Sequence, residues 1–167
     1  IDIRGGGDML TYFENGAEVA DVLRSDFVRF APEVGKAFLQ SEDVQLPVAL
    51  FGASSTMSMS ATSTFILFAT GNSLYAAVTL IAIASYASQL LLYRALKPEF
   101  EPAQHRAVLI GTNLLPSAVF WSCALLKEPI VMATLGPTVL ALKWLSEGRH
   151  RSLAIVMLAP AIVVAVA

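Results

Sequence analysis

Asp8 and Tyr12 stand four residues apart, the spacing that puts two side chains on one face of a helix. Asp8 follows Gly5-Gly6-Gly7, a flexible entry whose backbone tolerates positive φ. A carboxylate placed there at a membrane–water boundary can act as general base toward an acceptor hydroxyl, with Tyr12 beside it. The same residue also reads as a plain N-cap. The second candidate is Lys127-Glu128, two ionisable residues that end an apolar run. Adjacent helix residues do not face each other, so this is not automatically an ion pair. Lys127 reads either as a snorkelling anchor or as a cation for the phosphate or pyrophosphate of a lipid carrier. In the second case Glu128 positions the phosphate or a divalent metal. Pro129 can open a new helix, with the pair at the junction.

No other chemistry assembles. His105 and His150 lie in charged loops without partners at metal-ligand spacing, and read as surface histidines. The glycine run is not a phosphate-binding loop, since no Gly-Lys-Ser/Thr follows. No dinucleotide fingerprint and no Ser/His/Asp or Cys/His set is present. The single cysteine, Cys123, excludes an internal disulfide.

The elements that must carry these residues are membrane helices. Of 167 residues, 56% are hydrophobic and 14% charged, where soluble domains carry about 25%. The deficit is regional. Residues 1–43 hold nine of the thirteen acids and four of the eleven bases, while residues 44–167 are apolar and net basic. No basic stripe exists for a nucleic acid. The division is therefore a polar extramembrane segment, 1–43, and a transmembrane helical region, 44–167, with about four to five spans. Phe13, Ala17, Ala20, Leu23, Phe27 and Phe30 repeat at helical spacing, opposite Glu14, Glu18, Asp21 and Arg24. That predicts an amphipathic helix over 9–30, capped by Asp8, stopped by Pro32 and lying on the membrane with its apolar face down. A short amphipathic piece, Val34–Leu39, follows.

Val44–Tyr93 has no charged residue, which is too long for one span and right for two. The break is expected at Gly71-Asn72-Ser73. Ser54, Ser58 and Thr62, and then Ala84 and Ser88, repeat every four residues, as close helix packing requires. Ala107–Leu126 is twenty uncharged residues, about 30 Å of helix. Pro116, Phe120 and Trp121 shape it. Pro129–Leu142 is short and should kink at Gly136-Pro137. Lys143, Trp144, Glu147, Arg149 and Arg151 make an interfacial loop, and Ser152–Ala167 begins another span. The chain reads as a fragment. Two spans between 44 and 93 put the acidic segment and the basic Arg94–Arg106 loop on one side. Either the span count is off by one or one loop violates the positive-inside rule.

Leu115-Pro116-Ser117, Phe120-Trp121 and Lys127-Glu128 resemble a run in bacterial polytopic membrane proteins of cell-surface polysaccharide synthesis. Gly7-Asp8-Met9-Leu10-Thr11-Tyr12, leading into an amphipathic helix, resembles the first external loop of GT-C-like glycosyltransferases that use lipid-linked sugars. The resemblance implies an all-α polytopic integral membrane bundle in the bacterial inner membrane. It implies a polyprenyl-phosphate-linked sugar as donor, Asp8 as catalytic base, and Tyr12, Lys127 and Glu128 at the substrate. The other reading of the same chain is a non-catalytic polytopic protein, a transporter or structural subunit. Sugar transfer further requires Asp8 and Lys127 to approach one cavity. Three full spans between them would put them on opposite faces.

Overall fold

A computed structural model describes residues 8–41, 43–48, 54–114 and 127–166. Gly5–Gly7 and the Pro116, Phe120, Trp121 and Cys123 positions lie outside them. Among the described residues every regular element is helical and there is no strand. The elements are α1 (Asp8–Ser25), α2 (Phe27–Phe38), α3 (Ser54–Thr70), α4 (Leu74–Leu96), α5 (His105–Asn113), α6 (Lys127–Ser146) and α7 (Arg151–Val166). Two 3₁₀ turns, Lys97–Glu99 and Pro102–Gln104, join α4 to α5. The chain forms two compact units, one through Val78 and one from Thr79 through Val166.

In the first unit the single helix expected over 9–30 is two. The break falls at Asp26, not at Pro32. Asp26 leaves helical geometry (φ −154°, ψ 86°) and its carboxylate accepts from the Arg29 N–H at 3.1 Å. That cap outcompetes continuation of α1. Pro32 sits inside α2, and the N–H it lacks would have paired with the carbonyl of Val28, an exposed residue. The apolar face of α1 packs on protein. Tyr12, Gly16, Val19, Ala20 and Leu23 are buried, while Glu14, Glu18 and Asp21 are exposed as expected. Val19 and Leu23 pack with Val34 and Ala37 of α2 and Ala61 of α3. Ala20 packs with Leu67 of α3 and Ala77. Phe27, now on a different axis, is exposed.

α3 is the centre of this unit. From Met57 to Thr70 only Phe65 and Ala69 are exposed. Its approach to α1 depends on Gly16, where an added Cβ would lie 2.9 Å from the Ser63 Cβ. Of the expected Ser54–Ser58–Thr62 stripe, Ser58 is buried and Thr62 half-buried, while the side chain of Ser54 lies outside the described residues; Ser60, Ser63 and Thr64 are buried completely. The α3 C-terminus is closed from outside the helix. The Arg24 guanidinium donates to the Leu67 and Phe68 carbonyls (2.8 and 3.1 Å) and to Asp21. A cation there also suits the negative end of the helix dipole.

The turn at Gly71-Asn72-Ser73 falls where expected. Gly71 and Asn72 take positive φ (65° and 58°), and the Asn72 N–H reaches back to the Leu67 carbonyl at 2.9 Å. This is a Schellman closure. The Ser73 hydroxyl then caps α4 through the Ala76 N–H. Asn72 also donates to Asp21 and to the Ala17 carbonyl, tying the turn to α1.

Among the described residues two helical stretches are long and apolar enough to cross a membrane: Leu74–Glu99, which is α4 with its following turn, and Lys127–Ser146, which is α6. Little of either is buried (28% and 22%). The short, kinked run expected over Pro129–Leu142 is part of one twenty-residue helix. α3 has 17 residues and α7 has 16.

Candidate functional site

α4 and α6 are joined by side chains that reach the partner's backbone. The Ser85 hydroxyl donates to the Pro129 carbonyl at 2.9 Å. The Ser88 hydroxyl donates to the Met132 carbonyl at 2.6 Å and accepts from the Gly136 N–H at 2.8 Å. One hydroxyl thus bridges a carbonyl and an amide four residues apart in α6, beside Pro137. A side chain inserted into the ladder is one of the known ways a helix accommodates such a site. Gly136 is required: a Cβ there would fall 1.8 Å from the Ser88 carbonyl oxygen. The packing stripe is therefore Ser85 and Ser88; Ala84 is exposed.

Further along, the Lys143 ammonium donates to the Ala95 carbonyl at 3.1 Å and pairs with Glu99. Every one of these partners is 44 or 48 residues away. A constant difference, rather than a constant sum, means that α4 and α6 run parallel. Their basic ends lie together, and the ring of Trp144 meets that of His150 there at 5.1 Å.

This register changes the place of Lys127-Glu128. Subtracting the offset puts Lys127 level with residues 79–83, inside α4 and not at its end. Both side chains are exposed. The pair is thus not a boundary marker set opposite the end of a neighbouring span. Nor do the two form an ion pair with each other or with another described residue.

Asp8 opens α1, as an N-terminal residue should; its side chain lies outside the described residues. Tyr12, one turn on, is buried at 6% exposure, so it supports α1 from its packed side rather than opening to solvent. Asp8 and Tyr12 share a helix in the first unit, and Lys127 and Glu128 share one in the second. Beside Tyr12, Thr11, Glu14, Asn15, Glu18 and Asp21 line an open acidic groove along α1. His105 has its ring nitrogen 3.1 Å from the Phe100 carbonyl. Among the described residues no three His, Cys, Asp or Glu gather as a metal would need.

Sequence reasoning missed Ser85, Gly136 and the Lys143–Glu99 link. The signal for the first two was present: Ser85 and Ser88 recur at a helical interval in an uncharged run, and Gly136 precedes a proline in another. No protein-family model, curated protein or solved structure matches the chain.

Proposed function

We propose that the chain belongs to a multi-pass protein of the bacterial inner membrane that transfers sugar from a polyprenyl-phosphate carrier. The observation that carries this reading is the parallel, hydrogen-bonded pair of α4 and α6. Two parallel spans need a return crossing between them, and the uncharged run Ala107–Leu126, within which α5 ends at Asn113, lies between them. α3, covered by α1 and α2, is a core helix and not a span. One crossing then separates the acidic segment from the Arg94–Arg106 loop, with the acids outside and the bases inside.

In this reading Asp8 takes the acceptor proton, Tyr12 fixes the first turns of α1, and Lys127 stabilises charge on the departing carrier phosphate. Glu128 borders the phosphate site without pairing with Lys127. The second reading, a non-catalytic membrane subunit, is favoured by the use of Ser85, Ser88 and Lys143 for packing. The test is sugar transfer by the full-length protein in vesicles. Asp8→Asn and Lys127→Met should each lower turnover by roughly 10²–10⁴-fold while leaving membrane levels unchanged. Near-normal turnover in both favours the subunit.

A further inference from the structure

α4 and α6 run parallel but are built differently. From Leu74 to Leu96 α4 has neither proline nor glycine, so its hydrogen-bond ladder can form without a gap. Two neighbouring rungs of α6 are altered. Pro137 has no N–H to give the Ala133 carbonyl. One rung back, the Ser88 hydroxyl stands between the Gly136 N–H and the Met132 carbonyl, accepting from the first and donating to the second. Sharp helix bends arise at prolines and at such inserted side chains, and here both fall together.

α7 repeats the weakness at the same level. It packs against α6 and follows it through the short turn 147–150, so the two helices run antiparallel. Pro137 stands nine residues before Ser146, where α6 ends, and Pro160 nine after Arg151, where α7 begins. Both ladders therefore lack an N–H at one level along the pair.

On the two sides of that level α6 is held unequally. Beyond it, Leu140 and Ala141 are buried and Lys143 grips the end of α4 through the Ala95 carbonyl and Glu99. Before it, the Ser85 hydroxyl holds the Pro129 carbonyl. This bond is easily released. Within α6 the Pro129 carbonyl keeps its own rung from the Ala133 N–H, and a free Ser85 hydroxyl can turn to the Ile81 carbonyl of its own helix. At the level itself, Gly136 lies so close to the Ser88 backbone that no Cβ would fit, which fixes the pivot.

We infer that Lys127–Leu135 is an arm that swings on Ser88 and Gly136-Pro137, with Ser85 as its latch, while Pro137–Ser146 stays fixed to α4. Lys127 and Glu128 ride at the tip, about 13 Å from the pivot. A bend of 20° moves them by roughly 5 Å. The swing needs neither a membrane nor sugar transfer, only the altered ladder and the latch.

The test is distance measurement by pulsed electron paramagnetic resonance on the full-length protein, with Cys123→Ala in every sample. Spin labels at Tyr86 and Val131 report the arm, and labels at Leu90 and Leu142 report the fixed part; all four positions are exposed. The arm pair should show a short and a long distance, and the control pair one distance. Ser85→Ala should raise the share of the long distance several-fold. Pro137→Ala, which returns an N–H to the Ala133 carbonyl and removes no hydrogen bond to α4, should lower it several-fold. A single arm distance unmoved by Ser85→Ala would overturn the hinge. So would equal broadening of both pairs, which puts the motion in the whole contact between α4 and α6. A long distance that survives Pro137→Ala unchanged would place the bend elsewhere and overturn it as well. Where Ser85→Ala does not fold, Pro137→Ala alone decides.

Discussion

The two units use apolar side chains in opposite ways. In the first, Val19, Leu23, Val34 and Leu67 are wholly buried between helices, and charges line the outside of α1. In the second, the contact between α4 and α6 is made by Ser85, Ser88 and Gly136, while Leu80, Ile83, Tyr86, Leu90, Val131 and Leu135 face outward. Burial of apolar area between helices stabilises the first arrangement. The second arrangement rests on close backbone approach and interhelical hydrogen bonds, the means by which helices associate where apolar burial gives little. The apolar stretches look alike in composition, and only the direction in which their large side chains point separates them.

The glycines give the sharpest way to break this comparison. Gly136→Ala puts a methyl into the Ser88 carbonyl, which is backbone and cannot step aside. It should separate α4 from α6 and cost 3 kcal/mol or more, roughly the upper end for overpacking. Gly16→Ala meets the Ser63 and Leu67 side chains first, at 2.9 and 3.1 Å, and should cost about 1–3 kcal/mol. Gly111→Ala, in α5, meets nothing within 4 Å and should be neutral or slightly stabilising. Thermal unfolding of the purified protein gives the order. Equal effects at Gly136 and Gly111 would mean that the parallel register is wrong.

Leucine truncation should divide the units next. Leu23→Ala removes a fully buried side chain and should cost about 2–5 kcal/mol. Leu135→Ala, on the outward side of α6, should cost well under about 1 kcal/mol because the side chain is exposed and little packing is lost. A large loss at Leu135 would mean that protein, not lipid, covers it. Ser88→Ala, which removes both hydroxyl bonds to α6, is expected between these at about 0.6–1.7 kcal/mol.

Much of the helical content was legible because periodicity reports which face is apolar. Glu14, Glu18 and Asp21 fall outward and Gly71-Asn72-Ser73 turns, as their types require. What a face packs against was not legible. The stripe of α1 reads equally well as lying on lipid or on α3, and Gly16, the residue that allows the second, has no period. The break at Asp26 was hidden by Pro32, the louder signal six residues on. Ser54–Thr70 reads from sequence as a span or as a protein core, because burial by protein and burial by lipid select the same composition. Of the site, the residue types of Lys127 and Glu128 were visible, but their level beside α4 was not. That level is set by three hydroxyl bonds to backbone atoms, which no spacing rule announces.

The smallest expected effect lies in the first unit, at a titrating pair on α2. Glu33 pairs with Lys36 one turn along α2 at 2.7 Å, and its other oxygen accepts from the Gln45 N–H at 2.8 Å. The Lys36 hydrogen bond, and then the Gln45 N–H, hold the Glu33 carboxyl below the usual carboxylate range. Glu33 in turn holds the Lys36 ammonium above its ordinary value. A carboxyl lowered on folding stabilises the folded state above its unfolded pKa, and that contribution fades as pH falls through the folded value. A raised ammonium contributes below its unfolded pKa and loses the contribution as pH rises through the folded one. Lys36→Met should therefore move the Glu33 titration, followed by NMR, back up toward the usual range. The small stability difference between wild type and variant should be present at neutral pH and vanish in acid, where Glu33 is protonated in both. A titration unchanged by Lys36→Met would show that the Gln45 N–H alone holds the carboxylate. It would leave the chain after α2 tied to that helix by Glu33 without help from its cation.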